Sequence, residues 1–199
     1  MEYKTKTNLI LPFHDKLMVS NGGRSAETNN HFRPAGSGPQ NQLYAYDFRS
    51  ETTGKETKLE DFTVFGIDVI APGEGEVIQV VNGSFDCEPG QFDRSIGVGN
   101  MVIIDHMNGE YSLLCHFKHD SIVVKVGDIV KQGQKLGRCG NTGNTNQPHI
   151  HFNLQDGVMS YSARALPAQF AKILVNDVER TNYEPVRFEK VTNIKQTTP

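Results

Sequence analysis

The sequence predicts an all-β domain, a mainly antiparallel sheet or barrel-like sandwich, with long loops and one short C-terminal helix. Short runs of β-branched and aromatic residues recur between clusters of Gly, Pro, Asn and Asp, and the chain holds 19 glycines in 199 residues. Long stretches of helical periodicity are nearly absent. These two patterns are typical of strands joined by turns and loops.

Five segments have the clearest strand pattern: Glu76–Val81, Met101–Asp105, Tyr111–Phe117, Ile122–Val126 and His149–Leu154. The helix is predicted over Ala163–Val175, where Leu166, Phe170 and Ile173 recur at helical spacing. Pro167 is compatible with the first turn of that helix.

Three polar segments are predicted to be loops: Asn21–Gln42, Ser50–Asp61 and Gly83–Gly99. Loops of this length in a small domain often form functional surfaces. The sequence contains neither an internal repeat nor a composition change that would mark a domain boundary. It therefore predicts one domain over residues 1–199, with a core over about 8–175 and a frayed tail over 192–199.

Charge and hydropathy exclude several classes of protein. Lys and Arg number 20 against 23 Asp and Glu, a net charge of −3, and no basic block suggests binding to nucleic acid or a membrane surface. No apolar run has the length of a membrane span. The first residues lack the apolar run of a secretory signal, so we expect no export signal in this chain.

The three cysteines, Cys87, Cys115 and Cys139, have no C-x-x-C spacing, which argues against a disulfide framework or a cysteine zinc site. We expect reduced, partly buried thiols. Cys115 precedes His116 directly, but neighbours on a strand point to opposite faces, so a Cys–His nucleophilic pair is not expected.

The strongest candidate for chemistry is the pair His149 and His151. Residues two apart on a strand share a face, so both imidazoles point one way while Ile150 and Phe152 point the other. The polar turn Gly140–Pro148 comes directly before this strand, and we expect it to place the start of the strand at a cleft.

Three upstream residues are candidate partners of that pair. Asp47 ends the apolar segment Leu43–Phe48, His116 follows an apolar run, and His31 follows two asparagines. Singly, each has an ordinary alternative: an exposed strand end, a hydrogen-bonded core histidine and a surface loop residue. Together with the two later histidines they indicate a metal or catalytic centre, because catalytic zinc takes three His, Asp or Glu ligands and an open fourth position.

In this order the five residues resemble the signature of the lysostaphin-type (LytM-like) zinc endopeptidases, which cut peptidoglycan peptides. Glycine-paced segments of that family are also matched, at Ala71–Val77, Val126–Gly137 and Gly140–Asn144. The resemblance covers residues 8–175.

The resemblance implies that His31, Asp47 and His151 bind Zn²⁺, with His116 and His149 nearby but unligated. Amide hydrolysis needs a base for the water proton and a donor for the developing oxyanion. The resemblance assigns these two tasks jointly to His116 and His149, without deciding which residue performs which.

One spacing departs from the family pattern. His31 and Asp47 are sixteen residues apart, whereas common members place the two only a few residues apart. His14 is therefore the alternative upstream ligand. His106 is interpreted as packing or capping at a strand end, and His119 as a solvent-facing residue in a turn.

The function implied is zinc-dependent hydrolysis of peptide bonds in peptidoglycan stem peptides or cross-bridges, in an extracytoplasmic or cell-wall location. The three predicted loops would hold an extended peptide. Glycine cross-bridges, D-alanine–diaminopimelate links and non-wall peptides all stay open as substrates, and the oligomeric state is not predicted. The alternative is a catalytically inactive family member that acts as a cell-wall scaffold. A biotinyl or lipoyl carrier shares the hairpin pattern but needs a lysine tripeptide that is missing here.

Overall fold

The computed structural model describes residues 3–34, 40–158 and 163–194. Thirteen strands lie in these ranges: β1 Leu17–Asn21, β2 Tyr46–Arg49, β3 Asp68–Ile70, β4 Gly75–Val81, β5 Met101–Asp105, β6 Tyr111–Cys115, β7 Ile129–Val130, β8 Lys135–Arg138, β9 Ile150–Gln155, β10 Ala165–Leu166, β11 Phe170–Val175, β12 Val178–Tyr183 and β13 Lys190–Asn193. Single 3₁₀ turns occur at Leu59–Asp61 and Arg94–Ile96. No helix in the described ranges has the length and apolarity needed to cross a membrane.

Antiparallel pairing organises the strands into one large and one small sheet. The large sheet has the order β12-β11-β13-β1-β2-β9-β6-β5-β4-β7, and β10 pairs with β9. The small sheet consists of β3 and β8. The predicted all-β, mainly antiparallel fold class is thus confirmed.

The main hydrophobic core draws on strands of both sheets, and a smaller cluster forms around Ile103, Leu113 and Cys115. In the middle of the large sheet, Phe48 on β2 and Ile150 and Phe152 on β9 are buried in the main core. Because side chains alternate along a strand, Asp47 and His151 lie on the opposite face. The core therefore fixes the two central strands and leaves their other face for polar groups.

Four of the five predicted strands are confirmed to within two residues at each end, as β4, β5, β6 and β9. The fifth, over Ile122–Val126, is wrong because this segment forms no strand. Its backbone amides bond elsewhere: Ile122 donates to the side chain of Asn82 and Val123 donates to the carbonyl of Leu136. Burial of Ile122 and Val124 explains why the segment has an apolar, strand-like composition.

The predicted helix over Ala163–Val175 is also wrong, since this segment contains strands β10 and β11. β11 and β12 form a hairpin whose two-residue turn is Asn176-Asp177, with φ of 49° and 67°. Such a turn matches the twist of paired strands. Pairing of β11 with both β12 and β13 outweighs the helical spacing of its apolar residues.

Strand β13 extends the sheet beyond the predicted core of 8–175 and into the first residues of the predicted tail, 192–199. Thr192 and Asn193 belong to β13, which pairs with β1 and β11. The Asn193 side chain also bonds the backbone of Leu11 and Phe13, which fixes this strand against the N-terminal segment. Residues 195–199 lie outside the described residues.

Candidate functional site

The pairing of β2 with β9 places Asp47 directly opposite His151 on the face that lies away from the core. Asp47 is 6% exposed and His151 is 2% exposed. His149, just before β9, reaches the same carboxylate, with its Nε2 3.4 Å from Asp47 Oδ1. The two histidines of the H-x-H pair therefore meet at one buried carboxylate.

Asp47 is the centre of this cluster. His31 Nε2 lies 2.8 Å from its Oδ2, His151 Nδ1 lies 2.8 Å from its Oδ1, and Asn21 Nδ2 donates to Oδ2 at 2.6 Å. Burial alone would raise the pKa of Asp47, but the charges of His31 and His149, with the hydrogen bonds, hold it well below its usual value. The carboxylate is therefore ionised and attracts cations.

Local hydrogen bonds hold the loop that carries His31. The His31 amide donates to Asn29 Oδ1 at 2.9 Å, and the Asn30 amide donates to Asn21 Oδ1 at 2.9 Å. Asn29 is itself fully buried. The alternative upstream residue, His14, is exposed and belongs to neither of the clusters able to bind a metal among the described residues.

His116 reaches the site through a backbone kink. Its φ of 64° lies in the left-handed region, which few residues other than glycine adopt, and it comes directly after β6. The Nδ1–H donates to the carbonyl of Thr142 at 2.8 Å. The ring lies 4.7 Å from that of His149, centroid to centroid. Burial, followed by the charges of His149 and His151, lowers the pKa of His116 well below its usual value.

His149 is oriented in a similar way. Its Nδ1–H donates to the carbonyl of Gln147 at 2.9 Å, so Nε2 faces Asp47. Burial would lower the pKa of His149, but the Asp47 charge and the hydrogen bonds to Asp47 and Gln147 raise it. The pKa of His116 is lowered and that of His149 is raised, so the two histidines differ in proton affinity.

His151 has a nitrogen without a protein partner. Nδ1 bonds Asp47, whereas the buried Nε2 has no hydrogen-bond partner among the described residues. Burial lowers the pKa of His151 despite the opposing effect of Asp47. A buried imidazole that resists protonation and keeps a nitrogen unpaired has the chemistry of a metal ligand.

Two overlapping groups of three have ligand atoms within 4.8 Å of one another: His31–Asp47–His151 and His116–His149–His151. The first combines two imidazoles with one ionised carboxylate, a donor set that Zn²⁺ accepts in catalytic sites. The donor types present thus fit a divalent metal ion. All five site residues predicted from the sequence lie in this cluster.

Two clefts that share residues reach the centre of the cluster, and a third touches it through His31. One, of about 610 Å³, is lined by His31, His116, His149 and His151 together with Asn30, Arg33, Gln42 and residues from the segments 92–98 and 144–146. The other, of about 350 Å³, shares Asp47 and His149 with it. The predicted loop Ser50–Asp61 lines neither cleft, and the turn before β9 takes its place.

The contributions of Asn21 and Thr142 to the site were not predicted from the sequence. Both act through hydrogen bonds to distant segments, which leave no local sequence pattern.

The remaining sequence interpretations have mixed outcomes. His106 is confirmed as a packed strand-end residue, with bonds of 2.7 Å to the Glu74 carbonyl and to Ser112 Oγ. The prediction that His119 faces solvent is wrong in part, because its ring stacks on Phe85 at 4.1 Å.

All three cysteines are free. Burial, then the charge of Asp47, raises the pKa of the Cys115 thiol, which makes it a poor nucleophile.

Comparison with known proteins identifies the family. The model of peptidase family M23 matches residues 58–162, more than half of the chain. The chain belongs to peptidase family M23. This confirms the resemblance to the lysostaphin-type enzymes, which the H-x-H strand and its upstream partners suggested.

Two curated proteins illustrate the sequence similarity. Peptidoglycan DD-endopeptidase ShyB of Vibrio cholerae is 33% identical over 92 residues, which are 46% of this chain and 18% of ShyB. Lysostaphin of Staphylococcus simulans is 45% identical over 49 residues, 25% of this chain and 10% of lysostaphin. The chain therefore spans less than a fifth of the length of these relatives.

Among solved structures, the catalytic domain of the prophage-encoded M23 protein EnpA from Enterococcus faecalis is similar. It has 20% sequence identity and a TM-score of 0.49, over 79% of this chain and 93% of that domain.

Proposed function

We propose that this M23 chain is a zinc-dependent endopeptidase that hydrolyses peptide bonds in peptidoglycan stem peptides or cross-bridges. The observation that carries the proposal is a His/Asp/His cluster with two further histidines beside it, each with Nδ1 bonded to a backbone carbonyl. The name of the relative ShyB, a peptidoglycan DD-endopeptidase, supports the substrate class. A substrate in the cell wall requires an extracytoplasmic location.

In this proposal His31, Asp47 and His151 hold Zn²⁺, which when bound supplies Lewis acidity toward the scissile carbonyl. Two features favour this set over the three-histidine group. It contains the ionised carboxylate, whose charge a divalent cation offsets in a buried position. It also leaves the two histidines that are fixed by backbone carbonyls free for proton transfer.

His116 and His149 perform the proton chemistry. Each has its Nδ1–H bonded to a backbone carbonyl, so Nε2 is the nitrogen that exchanges a proton. In His149 this Nε2 lies 3.4 Å from Asp47 Oδ1. One Nε2 takes the proton of the attacking water. The other, protonated, donates to the developing oxyanion and then to the departing amine. We assign these two tasks jointly to His116 and His149.

The test is a joint measurement of metal content and cleavage. We expect about one Zn²⁺ per purified chain, released peptide products from peptidoglycan, and loss of metal in Asp47→Ala, His31→Ala and His151→Ala. Full metal in His31→Ala would favour the three-histidine group instead. Full zinc with intact peptidoglycan after prolonged incubation would favour the inactive scaffold over the enzyme.

A further inference from the structure

Arg49 lies beside the candidate centre and has no role in the chemistry described so far. It follows Asp47 by two positions on β2, so the two side chains share a face. Phe48 pairs with Ile150, and one further step in this antiparallel register brings Arg49 level with His149. Both residues line the cleft of about 350 Å³.

The guanidinium of Arg49 is unpaired within the part of the chain that the structure describes. None of the described residues forms a hydrogen bond or ion pair with it, and its Nε is buried and unsatisfied. Arg187, in the same cleft, is different: it donates to the Ser20 and Glu27 carbonyls and to Asn21 and Asn30. Arg187 is therefore part of the scaffold, whereas Arg49 is available to a ligand.

The chemistry of the cleft favours an anion. A partly buried guanidinium without a counter-charge is unfavourable, and a carboxylate matches its fork of N–H donors. The other lining groups include the neutral amides of Asn146 and Gln147. The Asp47 carboxylate is already surrounded by His31, His151 and Asn21, and in the proposed function it binds the metal.

We propose that Arg49 binds a carboxylate of the substrate next to the scissile amide, and so selects cross-links that carry a free carboxylate at that position. The inference rests on the proposed function and narrows its substrate class. A D-alanine–diaminopimelate link has a carboxylate on the carbon that bears the scissile nitrogen. An internal glycine of a cross-bridge has none. Arg49 is a specificity residue in this scheme, because it contacts the substrate beside the reacting bond.

Three matched peptides test the proposal: a D-alanine–diaminopimelate cross-linked dimer, the same dimer amidated at the carboxylate next to the scissile bond, and the same dimer amidated at its terminal carboxylate. We expect the first amidation to lower kcat/KM of the wild type by about 10- to 100-fold, the size of a charged hydrogen bond. The second amidation should have little effect. If the terminal carboxylate is the one that matters, the position we assign is overturned.

The protein variants complete the experiment. Arg49→Gln should lose about the same 10- to 100-fold on the free-carboxylate dimer but little on its amidated form, with unchanged zinc content. Arg49→Lys keeps the positive charge but loses the forked pair of N–H donors, so its kcat/KM should lie between those of wild type and Arg49→Gln. Arg180→Gln, exposed on β12, is the matched control. Equal kcat/KM of wild type and Arg49→Gln on all three peptides overturns the inference and leaves the proposed function intact.

Binding gives a readout that is independent of turnover. In a His116→Ala background, calorimetry should show that the free-carboxylate dimer binds more tightly than the amidated one, and that Arg49→Gln removes the difference. Such Arg49-dependent binding without any cleavage by the wild type would support the inference and count against the proposed function. Equal binding of both dimers would overturn the inference.

Discussion

His116 and His149, the two histidines that are not metal ligands in the proposed function, are each oriented by a hydrogen bond from Nδ1. Backbone carbonyls of Thr142 and Gln147 accept from the Nδ1 atoms of His116 and His149, respectively. A carbonyl accepts only, so in the neutral ring the proton is on Nδ1 and the lone pair is on Nε2. The backbone thus sets the tautomer without adding a charge to the site.

His116→Ala and His149→Ala should each keep about one zinc per chain and lose turnover by about 10²–10⁴-fold, since a general base or an oxyanion donor has an effect of that size. Thermal stability should stay near wild type, because bound metal still favours the folded state. Elemental analysis beside kcat on purified peptidoglycan measures both. Zinc lost from His149→Ala but kept in His151→Ala would reverse the assignment within the H-x-H pair.

Asn21 positions two of the metal-cluster residues at once. Its amide donates to Asp47 Oδ2, and its Oδ1 accepts from the Asn30 amide next to His31. Asn21→Ala should weaken zinc affinity by about 10- to 100-fold, as is usual when a ligand loses its outer hydrogen bond. Competition with a chelator measures the affinity. Asn8→Ala, at an exposed side chain, is the control, and equal affinities in the two variants would exclude this role.

At the scale of elements, the loops that carry Gly99 and Gly143 pack backbone against backbone. This contact positions the Thr142 carbonyl, which accepts the hydrogen bond from His116. A Cβ on Gly99 would lie 2.5 Å from the Thr142 carbonyl, and one on Gly143 would lie 2.5 Å from the Gly99 amide. Both glycines have positive φ, 65° and 87°. Only glycine fits at these two positions, because a Cβ would clash with the facing backbone and the φ angles are positive.

Gly143→Ala should therefore lower the free energy of unfolding by about 2 kcal/mol or more, from left-handed strain and overpacking together. It should also lower kcat, because the Thr142 carbonyl has to move. Gly83→Ala, where an added Cβ meets nothing within 4 Å and φ is not positive, is the control. Denaturant unfolding and kcat of both variants are the measurements, and a Gly143→Ala variant as stable and active as Gly83→Ala would refute the packing argument.

The elements also show what a sequence can and cannot predict. β9 was predictable because its period of two puts His149 and His151 on one face and Ile150 on the other. β11 was missed because its apolar residues happen to fit helical spacing, although Asn176-Asp177 is a hairpin signal. The roles of Asn21 and Thr142 have no local pattern at all, since they depend on contacts between distant segments.

At the scale of the whole molecule, Glu110 joins the N-terminal segment to the β5–β6 hairpin. Its carboxylate accepts from the amides of Lys6 and Thr7 at 2.7 and 2.8 Å and from the Tyr3 hydroxyl. Burial would raise the pKa of Glu110, but these hydrogen bonds lower it below its usual value. The ionised form is therefore the one that stabilises the fold.

A lowered pKa in the folded state means that this stabilisation is fully present above pH 4.5 and is lost as the pH falls through the folded-state pKa. Glu110→Gln should be less stable than wild type by about 1–3 kcal/mol at pH 7, with a difference that shrinks in more acidic solution. Glu179→Gln, at an exposed residue of β12, controls for the loss of charge. Unfolding curves at several pH values test this, and a constant difference down to pH 3 would contradict it.

β13 lies between β1 and β11 in the sheet but follows both in the chain. Both neighbours are therefore synthesised before the strand that joins them, and until β13 pairs with them β1 and β11 each leave one sheet edge open. Open edges recruit other strands, including those of adjacent nascent chains. The large sheet is thus continuous only once β13 has been inserted between β1 and β11, so the last of the described strands to be synthesised is the one that covers both edges.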